Sequence, residues 1–131
     1  MFDASHYWIS VVELNSFTRD AAGLLTPTEV EGLIAYLANH PDEGAVIPET
    51  GGIRKLRWRA RGKGKSRGAR VIYFFHDLNM PLYILAVYGK GEKLDLTQKE
   101  KQQMRSLVEQ IVGEQWRGQV AARVVRLVQK N

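Results

Sequence analysis

The stretch from Lys55 to Lys90 constrains the fold most. It holds three strand-like runs in succession, set between two helices whose starts are chemically marked. Lys55-Leu56-Arg57-Trp58-Arg59 alternates basic and apolar residues, the period of a half-buried strand. Arg70–His76 and Leu82–Lys90 are apolar at consecutive positions for most of their length, as central strands covered on both faces are. Asp77-Leu78-Asn79-Met80-Pro81 separates them and reads as a hairpin loop. The glycine- and lysine-rich run Gly62–Gly68 predicts a mobile hairpin tip between the first two strands.

The flanking segments complete an α+β order. Trp8–Leu14 reads as a short strand, although Val11-Val12 breaks its alternation, and Thr18–Leu25 suits a short helix. Thr26, Pro27 and Glu29 form a capping box with proline at the first helical position, and Val30, Leu33, Ile34, Leu37 and Ala38 keep a buried helical spacing. His40-Pro41 ends that helix, and 41–52 reads as a loop. Thr97-x-x-Glu100 opens another helix through Met104, Leu107, Val108, Ile111 and Val112. Beyond Gly113, the spacing of Trp116, Val120, Val124, Leu127 and Val128 predicts a further amphipathic helix bearing Arg117, Arg123, Arg126 and Lys130. The expectation is one domain over 1–112, with a small, mainly antiparallel sheet packed against N-terminal helices, and a helical extension over 113–131.

Charge narrows the function classes. Of nineteen basic residues, nine lie between Arg54 and Arg70 with no acidic residue among them. The remaining 114 positions hold ten basic against fourteen acidic residues, a net of −4. A basic band on a mildly acidic body calls for a polyanion, an anionic surface or an acidic partner. The chain has no cysteine, which removes disulfides, thiolate nucleophiles and cysteine-ligated zinc. His6, His40 and His76 lack metal-ligand spacing. No apolar run approaches the roughly 20 residues of a membrane span, and no secretory pattern opens the chain, so the expected compartment is the cytoplasm, with no membrane partner. Gly64-Lys65-Ser66 resembles the end of a P-loop, but Arg59 stands where that motif needs glycine, and a strand rather than a helix follows.

Period-two geometry sends Lys55, Arg57, Arg59 and Arg61 to one face of their strand, expected to be the open one, and Leu56, Trp58 and Ala60 to the helix-covered face. Pairing His76 with Leu82 across the second hairpin sets Arg70 opposite Tyr88, with Lys90 on the same face. A pairing near Arg59–Arg70 across the first hairpin brings the other cations beside them. Such a patch suits RNA cleavage by the neighbouring 2′-hydroxyl. Guanidinium groups clamp the scissile phosphate, a crowded lysine serves as base, and a phenol donates to the leaving oxygen. His76 beside Asp77 could act as acid or base, but more simply serves the turn.

Three motifs then carry a family likeness. They are Thr50-Gly51-Gly52-Ile53-Arg54-Lys55-Leu56-Arg57-Trp58, the run Gly62-Lys63-Gly64-Lys65-Ser66-Arg67-Gly68-Ala69-Arg70-Val71-Ile72-Tyr73-Phe74, and Tyr88-Gly89-Lys90-x-Glu92-Lys93-x-Asp95-Leu96-Thr97. Together they resemble HigB-type toxins of the RelE/ParE superfamily, over roughly Ile9 to Val112. The resemblance implies a RelE-like fold and the toxin of a type II toxin–antitoxin system. Such a toxin cuts messenger RNA in the ribosomal A site without metal or cofactor, and is silenced by a helix-turn-helix, HigA-like antitoxin. It implies catalytic places for Lys55, Arg57, Arg70 and Lys90, and the basic band itself points to Arg59, Arg61, Lys63, Lys65 and Arg67 as contacts to RNA. The family's C-terminal catalytic tyrosine has no counterpart after Tyr88, so Tyr88 takes that role or the role is unfilled. Two alternatives remain: a ParE-like toxin that inhibits DNA gyrase, and a non-catalytic RNA- or ribosome-binding module.

Overall fold

The computed structural model describes residues 8–58, 68–89 and 95–113, and the backbone of 120–126. The described elements run β1 (Trp8–Leu14), α1 (Asn15–Ala21), α2 (Pro27–Asn39), β2 (Ala45–Val46), β3 (Ile53–Trp58), β4 (Ala69–Phe74), β5 (Leu82–Gly89), α3 (Gln98–Val112) and β6 (Val120–Arg126). The strands form one sheet in the order β2-β3-β4-β5-β1-β6. Its pairs are antiparallel except β1 with β5, which is parallel. The chain is therefore α+β with a mixed, mainly antiparallel sheet. Among the described residues no helix is long and apolar enough to cross a membrane.

Both capping boxes form as their sequences demand. Thr26 accepts from the Glu29 N–H at 3.1 Å and Thr97 from the Glu100 N–H at 3.1 Å, while each glutamate accepts from its threonine's N–H at 2.8 Å. The turn into β3 is equally local. Gly51 and Gly52 take φ of 78° and 106°, and the buried Thr50 hydroxyl donates to the Ile47 carbonyl and accepts from the Ile53 N–H. Within the segment expected as loop, Ala45-Val46 forms the short edge strand β2, secured where the Arg54 guanidinium donates to the Asp42 and Gly44 carbonyls.

Two apolar clusters sandwich the sheet. On one face Leu56, Val71, Tyr73, Ile84 and Val87 meet Phe17, Leu33, Ile34 and Leu37 of α1 and α2. On the other, Ile53, Ile72, Phe74, Leu85 and Tyr88 meet Leu96 and Val108. Central position explains why all six residues of β4 are buried, and why Val11 and Val12 of β1 enter opposite clusters. The cationic face is therefore not simply open, because α3 covers part of it, as the strongly amphipathic run Met104–Ile111 requires.

The C-terminal segment corrects a second expectation. Residues 120–126 form a strand, not an amphipathic helix, and pair antiparallel along β1 from Leu14↔Val120 to Trp8↔Arg126. Short apolar runs fit either period. Here Val120, Val124 and Val125 favour extended backbone, and the free edge of β1 supplies a full ladder that an isolated helix would lack. α1 also starts earlier than expected, at Asn15 rather than Thr18.

Candidate functional site

The β3–β4 register places Arg57 opposite Arg70, and the β4–β5 register places Arg70 opposite Tyr88. Arg57, Arg70 and Tyr88 thus form a row across three adjacent strands on the α3 side. The Arg70–Tyr88 match agrees with the sequence expectation, whereas Arg70 faces Arg57 rather than Arg59. Apolar matching on both faces explains that shift, since Ile53↔Phe74 and Leu56↔Val71 each join residues of the same cluster.

A bulge in β5 sets the third member of the row. Near the hairpin, Phe74 pairs with Tyr83 and Tyr73 with Ile84, one residue away from the register that His76↔Leu82 would start. The register then shifts at Ile72/Tyr73, leaving Leu85 as the extra residue, and Ile72 pairs with Ala86. Strict alternation from Ile84 would send residue 88 to the α1–α2 face. The extra residue reverses the parity, and Tyr88 joins Arg70. The Ser16 hydroxyl of α1 donates to the Leu85 carbonyl at 2.6 Å and so anchors the irregular position.

Arg57 is exposed, Lys55 partly buried, and Arg70 and Tyr88 buried at 7% and 4% exposure. Arg70 Nη1 is fully buried and has no hydrogen-bond partner among the described residues. An unpaired buried guanidinium nitrogen costs about 1–3 kcal/mol, and a like charge directly opposite adds to that cost. An anion with oxygens at this position would relieve both. Lys55 lies two residues from Arg57 on the same face of β3, and its Nζ is 3.5 Å from Asp95 Oδ1. Burial, first, and the Asp95 and Glu100 charges raise the Tyr88 hydroxyl above its ordinary 10.0, with Arg70 opposing, so it is held as a proton donor. Asp95 is held below its ordinary 3.8, chiefly by the Leu96 N–H and also by Lys55.

The remaining expected site residues, Arg59, Arg61, Lys63, Lys65, Arg67 and Lys90, lie outside the described residues. His76 is not part of the row. It stands six residues along the chain from Arg70, roughly 20 Å for extended backbone, where its Nδ1 lies 2.9 Å from Asp77 Oδ2 beside the turn. Asp77 in turn accepts from the Asn79 N–H at 2.8 Å, so the pair serves the hairpin. A groove of about 360 Å³ lined by Glu13, Phe17, Leu25 and Glu31 lies on the α1–α2 side, and its carboxylates share no chemistry with the cationic row. Among the described residues no cluster of three histidines or carboxylates could hold a metal.

Asp95 and Ser16 are the residues that reading the sequence did not single out for a role. Asp95 had a usable signal, since it sits two positions before a capping-box threonine and five after Lys90, the basic end of the last expected strand. Ser16 had none, because its partner is 69 positions away. A scan of the chain against protein-family models finds no match.

Proposed function

We propose that this protein is the toxin of a type II toxin–antitoxin pair, a ribosome-dependent messenger-RNA endonuclease of RelE/HigB type acting in the cytoplasm. The observation that carries the reading is Arg70, a buried guanidinium with an unpaired nitrogen, facing Arg57 on one side and a phenol on the other. A phosphodiester offers the oxygen that Arg70 Nη1 lacks among the described residues, and a second oxygen within reach of Arg57.

In this reading the 2′-hydroxyl attacks the adjacent phosphorus, giving a 2′,3′-cyclic phosphate and a free 5′-hydroxyl. Arg57 and Arg70 hold the phosphoryl oxygens as their charge grows. Tyr88, kept protonated by its surroundings, donates to the departing 5′ oxygen. Lys55, already ion-paired, suits electrostatic support better than proton abstraction, which leaves the base to Lys90 or to a group on the ribosome. The likeness in sequence supplies the ribosome, the absence of a cofactor and a helix-turn-helix antitoxin as expected partners. Arg59, Arg61, Lys63, Lys65 and Arg67 would add backbone contacts whose strength falls with salt.

The test is to induce the full chain without an antitoxin and map transcript 5′ ends. Cuts phased to codons, lost together with growth arrest in Arg70→Ala, are expected. Undiminished toxicity in a folded Arg70→Ala protein removes Arg70 from the mechanism. Supercoiling defects without cuts would instead identify a gyrase inhibitor, and arrest with neither a non-catalytic binder.

A further inference from the structure

Asp95 is a carboxylate where a phosphate-binding site would do better without one. It lies between β5 and α3, two residues before Thr97, whose reciprocal cap fixes the first turn of α3. Its Oδ1 accepts the Leu96 N–H at 2.8 Å and stands 3.5 Å from Lys55 Nζ. One oxygen therefore ties a rigid helix start to a flexible side chain on β3. Among the described residues, Lys55 from β3 and Lys101 from α3 act on its charge, and it in turn acts on Tyr88 from β5, which also feels Arg70 from β4 and Glu100 from α3. Glu100 is committed to the cap. Asp95 is thus the carboxylate paired with the site's lysine.

We propose that Asp95 is a positioning residue that fixes the Lys55 ammonium beside the Arg57–Arg70–Tyr88 row. The inference rests on the nuclease reading and adds a residue to it. A free lysine spreads over many rotamers and must be ordered at each turnover, whereas a lysine tethered to a capped helix start is ordered beforehand. Asp95 weakens attraction for RNA, because its charge opposes phosphate. Its removal should therefore separate turnover from binding.

The experiment compares wild type, Asp95→Asn, Lys55→Met and the double variant on programmed ribosomes. Asp95→Asn should lower kcat about tenfold without raising KM, and add less than a twofold loss when Lys55 is already Met. Its alkaline limb should move to lower pH, since one of the charges that keep Tyr88 protonated is gone. A parallel fall in kcat/KM and thermal stability with KM raised, or the same tenfold loss in the Lys55→Met background, overturns the proposal. A second readout is independent of cleavage: the 15N signal of the Lys55 ammonium should be ordered in wild type and lost in Asp95→Asn. Its persistence in Asp95→Asn also overturns the proposal. A wild type that makes no cuts refutes the nuclease reading instead, and the ammonium signal still decides whether Asp95 holds Lys55.

Discussion

Replacing Arg70 by methionine should make the protein more stable while abolishing its action. Methionine keeps a long apolar stem in the space beside Ile72 and Tyr88 but removes the charge. The gain has two sources. An unpaired buried donor, Nη1, is eliminated, worth about 1–3 kcal/mol. The like-charge opposition with Arg57 disappears, worth roughly 0.2–1 kcal/mol across a strand pair whose other member is exposed. A net gain of about 2 kcal/mol allows for imperfect packing of the new side chain and agrees in scale with other replacements of buried charges. For a chain of this length that raises Tm by roughly 6–10 °C. The assay is thermal unfolding in chloride and in inorganic phosphate at matched ionic strength. Phosphate should stabilise wild type, by about 1.4 kcal/mol at ten times its dissociation constant, and leave Arg70→Met unmoved. A variant less stable than wild type, or phosphate stabilising both equally, would falsify the reasoning that Arg70 is an anion site held at a cost to folding.

Two further outcomes follow from particular contacts. Ser16→Ala leaves the Leu85 carbonyl without its 2.6 Å hydroxyl, so stability should fall by about 1–2 kcal/mol in urea titration, with amide shifts concentrated from Leu85 to Tyr88; shifts confined to α1 would show that the bulge does not depend on Ser16. The Tyr73 hydroxyl, fully buried and accepting from the Gly44 N–H at 2.9 Å, is raised above 10.0, mainly by burial. A raised folded value means stability is complete below pH 10.0 and declines as pH climbs from there through the folded value. Unfolding titrations from pH 8 to 12 should show that decline, and it should be shallower in Tyr73→Phe.

Features set by a few neighbouring residues were legible where a cap or an unbroken apolar run marked them, and not at the start of α1 or over 120–126. The starts of α2 and α3 depend on a threonine and a glutamate three residues apart, and the central strands β4 and β5 show their burial as unbroken apolar runs. The Arg70–Tyr88 match was also legible, although a hairpin displaced by one residue and a compensating bulge together produce it.

By itself, the sequence determined where α2 and α3 begin, which strands lie centrally, and that nine cations share one stretch without a counter-charge. Only the tertiary structure decided that 120–126 extends along β1, that Arg57 rather than Arg59 faces Arg70, and that α3 covers part of the cationic face. It also decided that Asp95 reaches Lys55. The division has a physical cause. Caps and periods are satisfied within a few residues of chain, whereas edge pairing, register and the burial of a charge depend on partners tens of positions away. Those distant partners turn a basic stretch into a site, because they bury Arg70 with its Nη1 lacking a hydrogen-bond partner among the described residues.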